Sequence, residues 1–249
     1  MSDAPRPLGP DDVHVWYTFT DEASGAAREA AYLALLCETE RARHAQFKFA
    51  EDRHCFLVAH ALLRTTLSRY AAVPPGQWRF RTAAHGRPEI AFPAAATSLR
   101  FNLSHTRGLV ACAVTTQRDV GVDVERIDGR RAADDVWKRY FSPSEIEALA
   151  KLSSAARTDA FFDYWTLKES YIKARGLGLE IPLDGFSFDF PPGGRPAISF
   201  AASVQDDPAA WQFALHQPRP SYRLAVAARG RAELAFAIMS TIPAVNDAK

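Results

Sequence analysis

The sequence is poor in cysteine, with three among 249 residues. Cys37, Cys55 and Cys112 are an odd number without paired spacing, and each lies in an apolar helix or strand pattern. This disfavours a disulfide framework as the source of stability. The three residues are expected to be reduced thiols in a reducing cytosol.

Long apolar runs and net charge are also lacking. No run approaches the roughly 20 residues of a membrane-spanning helix, and the first residues, MSDAPRPLG, lack the layout of a signal peptide. We therefore expect a cytoplasmic protein without a membrane partner. The net charge is +1, from 30 basic and 29 acidic residues. That balance argues against a nucleic-acid partner, because such binding depends on neutralising many phosphates.

Familiar nucleotide and hydrolase fingerprints are missing as well. The chain contains no Walker sequence, no G-x-G-x-x-G and no G-x-S-x-G nucleophile elbow. Enzymes of nucleoside triphosphates or dinucleotides and hydrolases with a catalytic triad are therefore disfavoured.

What is present is an ordinary globular composition, 47% hydrophobic and 24% charged. An alternating strand pattern from Val13 to Phe19 precedes a helical pattern that runs from Ala26 to about Tyr70. Short strand patterns fill the chain after Pro182, the last of them from Leu234 to Met239. The order of elements, similar on either side of about residue 118, is compatible with an α+β fold in two halves, residues 1–118 and 119–249.

The most informative stretch is Gly121 to Glu125, GVDVE. Side chains alternate faces along a strand, so Asp123 and Glu125 point the same way, outward, while Val122 and Val124 point into the body. This pattern predicts a pair of carboxylates on a strand. Its ordinary explanation is a solvated strand face.

A second stretch, WTLKESYIK from Trp165 to Lys173, has a helical pattern. The predicted helix begins at Thr158 and ends at Gly176 and Gly178. A spacing of four places Glu169 and Lys173 on one face, where the ordinary explanation is a surface ion pair. Together with the strand carboxylates, Glu169 makes a set of three oxygen ligands of the kind that Mg²⁺ prefers.

A third stretch, FNLSHT from Phe101 to Thr106, ends a predicted strand at a hairpin. Ser104 and His105 point to opposite faces of that strand, which does not suit a nucleophile and its base. Phosphate contacts from the hydroxyl and the imidazole fit better.

FNLSHT, GVDVE and WTLKESYIKARGLGL, in this order and spacing, resemble the 4′-phosphopantetheinyl transferases, in the larger class that activates peptide and polyketide synthases. The resemblance runs from about Arg43 to the strand around Tyr222. It implies a pseudo-dimer of two similar halves, and an enzyme that uses Mg²⁺ and coenzyme A to modify a serine of an apo acyl or peptidyl carrier protein. We further expect a monomer.

The same resemblance assigns roles to residues. Glu169 and Lys173 are implied as catalytic, and Asp123, Glu125 and Glu169 as metal ligands. In the first half, the sequence His85-Gly86-Arg87-Pro88 corresponds to a Gly-Lys-Pro loop of the family, and Cys55 replaces a basic residue common in it. The residues implied in binding coenzyme A are Arg43, Arg81, Gly86, Arg87, Asn102, Ser104, His105 and Asp123.

Other functions remain open on the residues alone. The same carboxylates suit a Mg²⁺-dependent phosphohydrolase or nucleotidyl transferase, and a non-catalytic module that binds coenzyme A or a carrier has the same motifs. The segment Ile127 to Phe141 is charged and then aromatic. Its ordinary explanation is a loop and a surface helix; the alternative is a docking surface for acidic carriers, with steering charges and an apolar contact from Val136 or Trp137. The steering residues are Arg130, Arg131, Lys138 and Arg139.

Overall fold

The computed structural model describes residues 7–83, 86–96, 98–128 and 136–244, with side chains at all of them except 95 and 179. The chain divides into two compact units. The first unit comprises Met1–Gln117 and Ala235–Lys249, and the second comprises Arg118–Leu234. Helices and strands are mixed in both units, which confirms the predicted α+β class.

The first unit is built on a sheet with the strand order β11-β1-β5-β4. Its helices are α1 (Ala26–Leu35), α2 (Glu38–Gln46) and α3 (Ala50–Leu67). Its strands are β1 (Asp12–Phe19), β2 (Arg79–Thr82), β3 (Pro88–Phe92), β4 (Leu99–Thr106), β5 (Leu109–Thr116) and β11 (Ala235–Ser240). The apolar helix α3 packs against β1, β4 and β5 and forms the core with them, while β2 and β3 form a separate hairpin.

The second unit contains a sheet with the strand order β6-β10-β9, antiparallel throughout. Its helices are α4 (Val136–Tyr140), α5 (Pro143–Ala150) and α6 (Ser154–Arg175). Its strands are β6 (Val120–Arg126), β7 (Phe186–Asp189), β8 (Ala197–Phe200), β9 (Trp211–His216) and β10 (Tyr222–Arg229). Helix α6 packs against β6 and β10, and the core around it is rich in aromatic side chains.

The predicted start of the long helix is wrong by one turn. Helix α6 begins at Ser154, because the Ser153 hydroxyl accepts a hydrogen bond from the backbone of Ala156 and caps the first turn. No helix breaker lies between Ser154 and Thr158, so the helical pattern extends back to the cap. The end is as predicted, at Gly176 in the left-handed conformation (φ 65°).

The last strand lies in the first unit and not in the second half. Strand β11 pairs in parallel with β1, with Val13 opposite Phe236 and Val15 opposite Ile238. The first segment of the first unit ends at Gln117, and the segment after Leu234 returns to that unit. Among the described residues, no helix is both long and apolar enough to cross a bilayer.

Candidate active site

Strand β6 carries the predicted carboxylate pair. Val122 and Val124 are buried as expected. Asp123, however, is only 5% exposed, which corrects the expectation of an outward-facing side chain. The reason is that helix α6 covers the other face of the strand. Asp123 therefore lies in an interface between strand and helix, where its charge is partly withdrawn from water.

The strand and the helix approach each other closely at Gly121. A Cβ atom at this position would lie 2.1 Å from the carbonyl oxygen of Ser170 and 2.4 Å from the backbone nitrogen of Ala174. Both distances are far shorter than an ordinary contact of 3.4–4 Å. The glycine that opens the motif is thus required by backbone proximity, which brings the carboxylate strand against the motif helix.

A direct contact joins the two motifs across this interface. The Lys173 ammonium donates a hydrogen bond of 2.5 Å to Oδ1 of Asp123. Glu169 lies one turn before Lys173 on the same helix and is half-buried. The predicted catalytic pair and the predicted strand ligand are therefore brought to one place.

The remaining carboxylate, Glu125, is half-buried and lies opposite Arg223 in the pairing of β6 with β10. The Arg223 guanidinium donates to Asp163 at 2.5 Å and lies 3.2 Å from Asp159, both on α6. Burial raises the pKa of Asp163 although the Arg223 charge opposes the change. Arg223 thus connects β10, the strand beside Glu125, to the first half of α6.

On a second side, α6 is fixed by a fully buried ion pair. Lys168 is 0% exposed and Glu145 is 1% exposed, with 2.8 Å between Nζ and Oε2. The same ammonium donates to the carbonyl groups of Leu183 (2.8 Å) and Phe186 (2.6 Å), so its three protons are satisfied. Burial lowers the pKa of Lys168, and the Glu145 carboxylate opposes that effect. These bonds fix the helix that carries Glu169.

In the first unit, the residues predicted to bind coenzyme A lie on several elements. Asn102 and Ser104 of β4 are buried, whereas His105 is exposed. Their alternation along the strand agrees with the predicted opposite directions of Ser104 and His105. Of the three side chains, only His105 offers a polar group at the surface.

Two predicted arginines line one cavity of about 120 Å³. Arg81 and Arg87 are joined there by Arg100, which the sequence reasoning did not select. Arg81 forms an exposed ion pair of 3.1 Å with Glu89 across the β2–β3 hairpin. Gly86 has φ 82°, a left-handed conformation that favours glycine in the turn before Arg87; its neighbour His85 is outside the described residues.

Arg43 does not line that cavity. It lies exposed in the last turn of α2, with its guanidinium carbon 5.8 Å from the centre of the Phe56 ring. Cys55, the departure from the family pattern, is buried, and its thiol donates to the carbonyl group of Thr106. Burial raises the pKa of Cys55 to about 11, so this position supplies neither charge nor a reactive thiolate.

The segment predicted to dock carriers is described only in part. Arg130 and Arg131 lie outside the described residues. Lys138 and Arg139 are exposed on α4, in agreement with a steering role. Trp137 is 3% exposed and belongs to the core, so of the two residues expected to supply an apolar contact it is excluded, and Val136, which is half-buried, stays a prediction.

Comparisons with known proteins agree with the motifs. Residues 119–227 match the family model described as the 4′-phosphopantetheinyl transferase superfamily, and residues 26–117 match the model described as 4′-phosphopantetheinyl transferase, N-terminal. The transferase HetI of Nostoc sp. is 37% identical over 68% of this chain and 70% of its own length. The chain belongs to the 4′-phosphopantetheinyl transferase superfamily.

One further relative of this transferase covers more of the chain, and a crystal structure matches part of it. The 4′-phosphopantetheinyl transferase Sfp of Bacillus subtilis is 28% identical over 86% of this chain and 91% of its own length. A crystal structure of the holo-[acyl-carrier-protein] synthase of Thermotoga maritima matches 45% of this chain and 62% of its own, with a TM-score of 0.36 and 20% identity.

The superfamily resemblance implies Mg²⁺. The site offers carboxylate oxygens, which Mg²⁺ prefers, but these carboxylates do not surround a metal position by themselves. Among the described residues, no group of three His, Cys, Asp or Glu side chains is close enough to hold a metal ion. The immediate partner of Asp123 is instead the Lys173 ammonium. Mg²⁺ commonly binds through one or two carboxylates and fills its shell with water and substrate phosphates. The residues of this transferase fit such a site, completed by its substrate.

Three residues that support the site, Lys168, Glu145 and Gly121, were not selected from the sequence. At helical spacing, Lys168 shares a face with Tyr164, Tyr171 and Ile172, and a lysine on such an apolar face signals a buried partner. Glu145 is recognisable in the sequence only as the end of a capping box, which the structure confirms with Ser142. Gly121 belongs to its motif, but no local pattern reveals that a helix backbone lies against it.

Proposed function

We propose that the protein transfers the 4′-phosphopantetheine group from coenzyme A to a serine of an apo acyl or peptidyl carrier protein, releasing 3′,5′-ADP. The observation that carries this proposal is the contact between Lys173 and Asp123, which unites the two family motifs in one site. In the transfer, the serine oxygen forms a bond to the phosphorus that bears pantetheine. The bond from that phosphorus to the nucleotide phosphate breaks.

Mg²⁺ would be held by carboxylates from the set Asp123, Glu125 and Glu169, one or two of them directly, with water and substrate phosphate completing its shell. A bound Mg²⁺ supplies charge neutralisation at the pyrophosphate and polarises the phosphorus that is attacked. Most of the catalysis is then positioning and electrostatic stabilisation, as in other phosphoryl transfers.

Glu169 is proposed to accept the proton of the carrier serine, directly or through a water molecule, besides serving as a ligand. Lys173 is proposed to neutralise the charge that grows on the departing phosphate oxygen. Its ammonium now lies 2.5 Å from Asp123, beside a carboxylate that a metal ion would also use. Pyrophosphate offers the same ammonium a second anionic partner when coenzyme A binds.

The first unit is proposed to hold the nucleotide part of coenzyme A. Arg43, Arg81 and Arg87 provide guanidinium groups, which suit bidentate contacts with phosphate. His105 adds an exposed imidazole, and Gly86, Asn102 and Ser104 shape the surrounding loop and strand. The exposed charges of Lys138 and Arg139 are proposed to steer an acidic carrier to the site.

The decisive experiment incubates the protein with an apo carrier, coenzyme A and Mg²⁺, and then weighs the carrier by mass spectrometry. We expect a gain of one phosphopantetheine group, and none on a carrier whose acceptor serine is alanine. No gain on several carriers, one of them from a peptide synthetase, would contradict the proposal. Release of 3′,5′-ADP without a carrier would instead indicate a hydrolase, and coenzyme A binding without turnover would indicate a binding module.

A cytoplasmic location and a monomeric state are also proposed. The cysteines Cys37, Cys55 and Cys112 are free thiols, which agrees with a cytoplasmic location. A monomeric state is proposed from the family resemblance and is measured by light scattering of the purified protein.

A further inference from the structure

A second buried ion cluster lies in the first unit, away from the residues with assigned roles. The Arg64 guanidinium is 0% exposed and donates a hydrogen bond of 2.6 Å to Oε2 of Glu40. The other carboxylate oxygen of Glu40 is 3.1 Å from Nδ1 of His60. Burial raises the pKa of Glu40, but the hydrogen bonds with His60 and the Cys37 amide, with the Arg64 charge, lower it to about 2. We call Glu40, His60 and Arg64 the Glu40 cluster.

The cluster holds helix α2 in place. This helix has nine residues, is strongly polar and contains no buried residue, so apolar packing contributes little to its position. An isolated helix of this length is marginal in water. Glu40 attaches it to α3 through Arg64, and its Oε2 also accepts the backbone N–H of Cys37 at 2.8 Å, which closes the first turn. Arg43 follows Glu40 by three residues, so the same attachment sets its position.

The same guanidinium reaches the segment before β2. Arg64 donates through Nη1 to the carbonyl group of Trp78 at 2.8 Å and to that of Pro75 at 3.3 Å. Its guanidinium carbon also lies 5.2 Å from the centre of the Phe80 ring. Arg81 is the next residue of that strand. One buried side chain therefore connects the two segments that carry Arg43 and Arg81.

A contact between two tilted rings, His60 and Phe56, connects the cluster to the Arg43 side chain itself. The His60 ring lies 4.2 Å from the Phe56 ring, measured between centres. On the same Phe56 ring lies the Arg43 guanidinium, at 5.8 Å. Displacing Glu40 removes the hydrogen bond that orients His60, and this in turn loosens the surface on which Arg43 rests.

We propose that Glu40 and Arg64 are positioning residues, which orient Arg43 for the 3′-phosphate of coenzyme A. The inference rests on the proposed function, since that function names the ligand. A planar guanidinium gains its bidentate phosphate bonds only in one orientation, so its placement decides the affinity. Coenzyme A has a pyrophosphate and a 3′-phosphate. The proposed transfer places the pyrophosphate at the carboxylates of the second unit, so the 3′-phosphate is the anion left for the arginines of the first unit.

The test compares coenzyme A with 3′-dephospho-coenzyme A as donors, at a fixed carrier concentration. The measured quantity is the ratio of the two kcat/KM values in the wild type and in Glu40→Gln, Arg43→Ala and the double variant. We expect each single variant to lower the ratio about tenfold, because a change of that size is the usual effect of losing one charge-assisted hydrogen bond. We expect no further fall in the double variant, because Glu40 acts through Arg43. The control is Glu147→Gln, whose exposed ion pair with Lys151 lies far along the chain.

Several results would overturn the inference. These are an unchanged ratio in folded Glu40→Gln, an equal fall of kcat/KM for both donors, or additive effects in the double variant. If Glu40→Gln does not fold, Glu40→Asp replaces it, since it keeps the charge but withdraws the carboxylate from Arg64 and His60; an unchanged ratio there is equally negative. A wild type that modifies no carrier overturns the proposed function and this inference with it. A wild type that transfers without preferring coenzyme A overturns this inference alone.

Discussion

Replacing Gly121 with alanine is the most direct perturbation of the site, because it alters no charged group. The new methyl carbon would lie 2.1 Å from the Ser170 oxygen and 3.0 Å from the Ala174 Cα atom, both backbone atoms that cannot rotate away. Strand β6 and helix α6 must therefore separate by about 1.3 Å to restore the shortest ordinary contact of 3.4 Å. We expect a loss of about 3 kcal/mol in the free energy of unfolding, at the upper end for overpacking.

The same displacement should damage catalysis more than binding. Lys173 and Asp123 are joined by a contact of 2.5 Å across this interface. Separation along that direction by more than 1 Å takes the pair out of hydrogen-bond range. Misplacement of catalytic groups by about 1 Å costs on the order of 100-fold in rate, so we expect a fall of that size in kcat with little change in coenzyme A affinity.

The assay measures urea unfolding and carrier modification for the same preparations, with the rates taken where the variant is fully folded. Gly76→Ala is the matched control, because a Cβ atom at that position meets nothing within 4 Å. It should be neutral in both measurements. If Gly121→Ala kept wild-type stability and kcat, the close approach of β6 and α6 would be refuted, and with it the basis of the site.

Three other substitutions test the roles of Lys173, Glu169 and Glu40 separately. Lys173→Ala should lower kcat by about 100-fold, within the range of a lost electrostatic contact to the transition state, while coenzyme A affinity by calorimetry stays near the wild type; an unchanged kcat would remove Lys173 from catalysis. Glu169→Gln should lose roughly 10²- to 10⁴-fold in rate even at saturating Mg²⁺ if the carboxylate is also the base, and recovery with added metal would limit it to a ligand. Glu40 has a folded pKa of about 2, below its usual 4.5, so its contribution to stability is complete above pH 4.5 and is lost as the pH falls towards 2. The difference in unfolding free energy between the wild type and Glu40→Gln should therefore shrink by up to about 3 kcal/mol over that range, and a difference independent of pH would contradict the shift.

Local patterns in the sequence determined the chemistry of the site. The alternation in GVDVE predicted a strand with its two valines buried, and β6 has that form. The spacing of Glu169 and Lys173 predicted a shared helix face, and Gly176 ends the helix as expected. These features depend on residues within a few positions of one another, and so the sequence alone carries them.

The tertiary structure decided which of these local elements meet. Asp123 was expected at the surface and is buried, because α6 lies over the strand face that alternation alone leaves open. Strand β11 joins β1 across more than 200 residues, which is why division of the sequence into two consecutive halves misplaced it. Arg64 and Lys168 acquire their partners, Glu40 and Glu145, only when one helix packs against the helix before it, at a separation far beyond one helical turn. A charge whose burial depends on a distant partner leaves no periodic signal in the chain, and for that reason the groups that hold the site together are apparent only in the folded protein.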